Sequence, residues 1–195
     1  MADLIKIPMF PLNIFPLPGE MLPLHIFEPR YKQLLQEAES HDIPFGIYFN
    51  HTSNIRQMGS LVKLESVIKR YPNGELDVIV KCLDLFELVS MFRTYNDKLY
   101  PGGEVNFWNV DVKAPVSELL HAEFIVYLSM LKINKHSQVS SVFGIANVLN
   151  LDFEERIKLV QIEVEKQEPF LISRLRFQKH VLLEAEKLKD VFHLN

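Results

Sequence analysis

The stretch FPLPGEMLPLHIFEPRY, residues 15–31, decides how the first half of the chain is interpreted. Its four prolines and the Pro18-Gly19 pair rule out a long helix, because proline lacks the N–H that a helix needs. Its many apolar side chains rule out a solvated linker. The stretch therefore predicts folded, extended chain that ends in a charged group containing Glu28 and Arg30.

Residues after this stretch carry a clear hairpin signal. Two segments of alternating polarity flank the turn Pro72-Asn73-Gly74, which predicts a β-hairpin with one buried face. The apolar positions of that face are Val62, Leu64, Ile68, Leu76, Val78 and Val80. Cys82 continues the alternation, so we expect a buried, inert thiol. The segments PFGIYFN (44–50) and EVNFWNVDV (104–112) predict further strands, and EPRYKQLLQEAES (28–40) predicts one helix with Pro29 in its first turn.

Composition changes near Ala114-Pro115, which predicts a β-rich domain over residues 1–115 and an α-helical domain over 116–195. The segments SELLHAEFIVYLSMLKI (117–133) and SSVFGIANVLN (140–150) have helical spacing. Asp152 and Glu155 have the spacing of a capping box at the start of the next helix. The last helix, predicted from Glu168 onward, has two apolar stripes. The inner stripe, which should pack on the neighbouring helices, is Leu171, Leu175, Leu182 and Ala185. The second stripe, which needs either a partner or the first region of the chain, is Phe177, Val181, Leu188 and Phe192.

Bulk properties narrow the classes of function. A net charge of −4 over 195 residues provides no excess of cations for a phosphate backbone, so nucleic acid is an unfavoured partner. The single cysteine, Cys82, excludes an intrachain disulfide and a thiolate metal cluster. No apolar run has the length of a membrane span, and prolines interrupt the N-terminus where a secretory signal would lie. We expect a cytoplasmic protein without a membrane segment.

The opening residues closely resemble the start of the N-terminal domain of Lon proteases, called the LON or Lon substrate-binding domain. The matching residues are Pro8, Phe10-Pro11-Leu12, Phe15-Pro16, Pro18-Gly19, Leu22-Pro23-Leu24, Ile26-Phe27-Glu28 and Arg30-Tyr31. The resemblance implies an α+β fold: a PUA-like β pseudo-barrel with one inserted helix, followed by an α-helical bundle that ends in a long helix. It also implies a role in recognising or docking proteins.

Enzymatic signatures are missing from the sequence. No glycine is followed by lysine, so the phosphate-binding GxxxxGK[ST] loop is absent, and the chain has no room for the ATPase or protease modules of Lon. The resemblance is thus to a LON domain standing alone. No nucleophile, base and oxyanion donor can be nominated as a set, and the histidines lack metal-binding spacing. We therefore expect no enzyme activity, no cofactor and no metal.

The sequence predicts a module that binds exposed apolar or aromatic segments of polypeptides, or docks to a partner protein, in a groove between barrel and helices. The candidate contact residues are Phe92, Tyr95, Tyr100 and Trp108, because rigid aromatics bury large areas, together with Arg30. Core packing of these aromatics and a structural role for Arg30 remain open as interpretations. An RNA-binding PUA-like domain is the alternative function, and a weak homo-oligomer is also left open.

Overall fold

Six strands and five helices lie in the part of the chain that the computed structural model describes, residues 4–133 and 141–192. For residues 188–192 only the backbone is described. The chain divides into two compact units, Met1–Val110 and Asp111–Asn195. No helix in the described ranges is both long enough and apolar enough to cross a bilayer.

The first unit alternates strands with a single helix. Its elements are β1 (Ile5–Leu12), β2 (Met21–Ile26), α1 (Pro29–His41), β3 (Phe45–Phe49), β4 (Met58–Arg70), β5 (Leu76–Phe92) and β6 (Gly102–Phe107). Strand β1 runs parallel to β3 and antiparallel to β6, and β5 runs antiparallel to β4, β2 and β6. The ladders therefore close into a ring, β5-β4-β3-β1-β6-β5, with β2 outside it.

This ring is not a regular barrel, because β5 changes partners along one edge. Its first part, Leu76–Lys81, pairs with β2, and its last part, Phe86–Phe92, pairs with β6. The α+β class, the ringed sheet and the inserted helix agree with the fold expected from the sequence. Helix α1 begins at Pro29, and its buried residues are Tyr31, Leu34, Leu35 and Ala38.

The predicted hairpin is present, with one error in its buried face. Bulges interrupt the β4–β5 register between Leu64 and Ser66 and again between Val67 and Lys69. Each bulge inserts a residue and so changes which side chains face inward. Val67 packs against the core, whereas Ile68 is 65% exposed, so the expectation of an inward Ile68 is wrong.

The prolines of the stretch 15–31 lie at positions where the fold needs no backbone N–H group from them. Residues 13–20 connect β1 to β2, and the Ser60 hydroxyl donates to the Pro16 carbonyl at 2.7 Å. Pro23 lies in β2, which is the end strand of the sheet, so its missing N–H removes no essential ladder bond. Cys82 is buried as predicted, and burial raises the pKa of its thiol far above the ordinary value.

The strand predicted over residues 104–112 is shorter than expected. Strand β6 starts at Gly102 and stops at Phe107. Asn109 has a left-handed φ of 53°, and the Asp84 carboxylate accepts hydrogen bonds from the backbone N–H groups of Asn109 and Val110, both at 3.0 Å. Asn109 and Val110 thus donate to a side chain of β5 and not to its backbone, and the regular ladder ends at Phe107.

The second unit consists of helices α2 (Glu118–Met130), α3 (Val142–Leu149), α4 (Phe153–Gln161) and α5 (Val164–Phe192). The side chains of Ser117 and Ser141 cap α2 and α3, and Asp152 and Glu155 form the predicted capping box. Helices α2, α3 and α4 all contact α5. The Glu123 carboxylate on α2 pairs with Arg176 and Lys179 on α5, and these bonds lower the pKa of Glu123.

Helix α5 starts at Val164 rather than near Glu168, so Pro169 lies inside it. Leu171 and Leu175 are buried, as expected for the inner stripe. The second stripe is exposed where side chains are described, with Phe177 at 58% and Val181 at 48%. Leu188 and Phe192 lie outside the described side chains.

Candidate functional site

A surface cleft of about 350 Å³ lies in the first unit. It is lined by Pro11 of β1, Arg30 at the start of α1, Met91 and Phe92 at the end of β5, Arg93, and Pro101. Strand β6 separates β1 from β5, and it begins only at Gly102, which pairs with Phe92. The cleft therefore forms where β1 continues beyond the first residue of β6, next to the end of β5 at Phe92.

Two rigid prolines shape one side of this cleft. The Met9 N–H donates to the Pro101 carbonyl at 2.8 Å, which fixes the chain just before β6. Pro11 has no N–H, so β1 cannot donate to an added strand there. A ligand is expected to contact side chains in this cleft rather than extend the β1 ladder.

Phe92 and Met91 provide the apolar surface on the β5 side. Met91 is 41% exposed, and Phe92 is half-buried. The Lys6 ammonium lies 5.6 Å from the centre of the Phe92 ring and 3.7 Å from Glu104, whose carboxylate also accepts a hydrogen bond from Ser90. This cation–π interaction, in which the ammonium is attracted to the negative face of the ring, helps to hold Phe92 at the edge of the cleft.

Arg30 combines a structural contact with an exposed position. Its Nε and Nη2 atoms donate to Glu28 Oε2 at 2.9 and 2.8 Å. Its guanidinium lies 4.6 Å from the centre of the Tyr31 ring, and that ring stacks on Phe10 at 3.9 Å. The bond to Glu28 gives Arg30 a structural role, while its side chain remains about half exposed and lines the cleft.

The loop between β5 and β6, residues 93–101, is held against α1 by polar bonds. The buried Tyr100 hydroxyl donates to Glu37 Oε2 at 2.8 Å, and Lys98 lies 3.1 Å from Glu37 Oε1. Burial opposes ionisation of Glu37, but the bonds from Tyr100 and Lys98 outweigh it and lower the pKa of Glu37. Burial and the Glu37 carboxylate raise the pKa of Tyr100. The Leu99 N–H also donates to Gln33 Oε1 at 3.0 Å.

Tyr95 completes the packing of this loop. Its ring stacks on Tyr100 with centres 6.1 Å apart. A Cβ at Gly102 would lie 2.5 Å from a Tyr95 ring carbon, so glycine is needed at that position for the ring to pack as it does. These contacts make Tyr95 and Tyr100 part of the support behind the cleft.

The structure brings together some of the residues selected from the sequence and separates others. Arg30 and Phe92 line the cleft. Tyr100 is 1% exposed, so it offers no surface to a partner. Trp108 directly follows Phe107, the last residue of β6, and Gly102 at the cleft is the first. At a strand rise of about 3.3 Å per residue, the backbone of Trp108 lies about 20 Å from Gly102. Trp108 is therefore not part of the cleft.

Four residues that line the cleft are not among the contact residues predicted from the sequence: Pro11, Met91, Arg93 and Pro101. Arg93 directly follows Phe92, so its proximity is visible in the sequence. Pro11 and Pro101 meet only through the long-range pairing of β1 with β6, which no local pattern encodes.

The cleft offers binding surface and positive charge. Its lining consists of two prolines, a methionine, a phenylalanine and two arginines. None of these side chains is an effective nucleophile or general base at neutral pH. Among the described side chains, residues 4–133 and 141–187, no group of three or more His, Cys, Asp or Glu is placed to hold a metal ion.

Comparison with known proteins gives a consistent result. Residues 6–167 match the family model described as the ATP-dependent protease La (LON) substrate-binding domain. The structure is similar to the Lon N-terminal domain protein from Xanthomonas campestris, with a TM-score of 0.62 and 23% identity over 81% of this chain and 90% of that one. It is also similar to the N-terminal domain of Mycobacterium avium complex Lon protease, with a TM-score of 0.63 and 14% identity over 88% and 98% of the two chains. Comparison with curated protein sequences gives no significant match. At these identities the two structures establish a shared fold.

Proposed function

The chain belongs to the LON substrate-binding domain family, and from this premise we propose that it binds exposed apolar or aromatic segments of other polypeptides without chemically changing them. The observation that carries the proposal is the cleft between β1 and β5, which lies in the region that the family model covers. The residues that line it provide apolar contact surface, and none of them is a nucleophile or a general base.

The size of the cleft supports binding of one side chain at a time. An aromatic side chain buries about 150–250 Å² when fully enclosed, and at about 25 cal/mol per Å² half of that area contributes about 2–3 kcal/mol. Ordering a flexible segment opposes this gain. A dissociation constant weaker than about 5 mM is therefore expected for a short segment with one aromatic residue, since about 1 mM already requires about 4 kcal/mol.

A peptide titration tests the proposal. The probe is a short unstructured peptide with one central Phe, and its match has Ser in that position. We expect saturable binding of the Phe peptide and at least about tenfold weaker binding of the Ser peptide, since most of the gain comes from the aromatic area.

Substitutions locate the site in the same titration. Met91→Ala should weaken binding of the Phe peptide about threefold, because it removes apolar surface from the cleft. Ile55→Ala is the matched control, because Ile55 is 86% exposed and does not line the cleft. Equal loss in both variants, or no binding of the Phe peptide at all, would contradict the proposal. Binding of RNA with steep salt dependence instead would favour the alternative function.

A further inference from the structure

The cleft carries positive charge in addition to its apolar lining, and binding of an apolar side chain alone does not need that charge. Two arginines, Arg30 and Arg93, line it, and Lys6 lies over the ring of Phe92 at its edge. The chain as a whole has a net charge of −4, so this concentration of cations is opposite in sign to the average.

The three cations differ in how they are paired. Arg30 is bonded to Glu28 at 2.8 Å, and Lys6 lies 3.7 Å from Glu104. Arg93 is exposed and forms no ion pair with any residue in the part of the chain that the structure describes. With three cations and two carboxylates, the edge of the cleft keeps one uncompensated positive charge, and it belongs to Arg93.

We propose that this cleft selects polypeptide segments in which an apolar or aromatic side chain is followed or preceded by a carboxylate, with Arg93 as the residue that pairs with that carboxylate. The inference rests on the proposed function and adds a charge requirement to it. The apolar side chain contacts Met91, Phe92 and the two prolines, while the neighbouring carboxylate accepts hydrogen bonds from the Arg93 guanidinium. A planar guanidinium can donate two parallel bonds to one carboxylate, which favours that ligand over a neutral group.

The expected preference is modest because Arg93 is exposed to solvent. An exposed ion pair contributes up to about 1 kcal/mol, which corresponds to about a fivefold ratio of dissociation constants. Salt should reduce this ratio, since the screening length falls from about 10 Å at 0.1 M to about 3 Å at 1 M.

Three matched peptides test the proposal, each with a central Phe flanked on both sides by Asp, Ser or Lys. At low salt, the wild-type protein should bind the Asp peptide about three- to fivefold more tightly than the Ser peptide and should bind the Lys peptide most weakly. Arg93→Gln should make the Asp and Ser peptides equal. Arg93→Glu should reverse the order, so that the Lys peptide binds more tightly than the Asp peptide.

Lys81→Glu is the control for net charge. Lys81 is exposed, lies toward the other end of β5 and does not line the cleft, so this variant makes the same charge change and should keep the wild-type order. Reversal of the order by Lys81→Glu would assign the preference to overall charge and overturn the role of Arg93.

The outcomes separate this inference from the proposed function. If the Asp and Ser peptides bind the wild-type protein equally while replacement of Phe by Ser abolishes binding, the function stands and the charge preference is wrong. If no Phe peptide binds, the proposed function fails, and the inference fails with it.

Discussion

The two ends of β5 differ in what flanks them. At Leu76–Lys81 the strand has β2 on one edge and β4 on the other. The pairing with β4 ends at Met58 and Glu87. Beyond Leu88, β6 is the only strand that pairs with β5 among the described residues. We call these the closed end (Leu76–Cys82) and the open end (Leu88–Phe92).

Burial follows the same division. At the closed end Val78, Val80 and Cys82 are exposed by 1% or less, whereas at the open end Val89 and Met91 are 54% and 41% exposed. A single strand thus contributes core at one end and accessible apolar surface at the other. The difference indicates that stability and binding can be changed independently by substitutions along β5.

The largest effect on stability is expected at the closed end. Val80→Ala removes buried methyl groups and leaves a cavity, so the free energy of unfolding should fall by about 2 kcal/mol. Met91→Ala at the open end should lower it by about 0.5 kcal/mol or less, because its side chain is already partly in water. Urea denaturation of both variants measures the contrast, and similar losses at the two positions would remove the distinction between the ends.

A smaller effect is expected at Asp84, between the two ends. Its carboxylate accepts hydrogen bonds from the backbone N–H groups of Leu85, Asn109 and Val110. Asp84→Ala should lower the free energy of unfolding by about 1.5 kcal/mol, because hydrogen bonds to a charged acceptor are lost. Hydrogen exchange should show faster exchange of the Asn109 and Val110 amides, with the amides of the closed end less affected. Unchanged exchange at residues 109–110 would contradict the role given to Asp84.

A smaller effect than at Asp84, with a defined pH dependence, is expected at Glu37, which supports the loop beside the open end. The folded state lowers the pKa of Glu37, so its ionised form stabilises the fold above the unfolded pKa. That contribution is lost as the pH falls through the lower, folded value. Glu37→Gln should reduce the free energy of unfolding by about 1 kcal/mol at pH 6.

Thermal unfolding of the wild type and Glu37→Gln at pH 6 and at pH 3 gives the check. The difference in Tm between the two proteins should be clear at pH 6 and smaller at pH 3, because the lowered pKa of Glu37 makes its contribution decline as the pH falls below the ordinary range of a glutamate. A constant difference at both pH values would show that Glu37 acts through packing and not through its charge.

The closed end was predictable from sequence because its signals are local. Leu76, Val78 and Val80 occupy alternate positions, and Pro72-Asn73-Gly74 marks the turn before them. The start of α4 was predictable for the same reason, from the Asp152–Glu155 spacing. Ile68 was misassigned because bulges shift the alternation at a point that composition does not reveal. The strand over residues 104–112 is shorter than predicted because the backbone of Asn109 and Val110 bonds to Asp84, a side chain distant in sequence.

The cleft was only partly predictable for a related reason. Arg30 and Phe92 were selected for their residue types, and both line the cleft. Tyr100 was selected by the same argument, but its hydroxyl bonds to Glu37 and its ring is buried. Residue type indicates which side chains suit binding, whereas long-range strand pairing determines which of them reach the surface together.

Mapping of backbone amide chemical shifts during titration with the central-Phe peptide tests the central claim most directly. The shifted amides should cluster at Met9, Phe10 and Leu12, at Arg30 and at residues 91–100, while the closed end of β5 is unaffected. Shifts centred on Trp108 or on the exposed α5 residues Phe177 and Val181, with none around the cleft, would contradict the account.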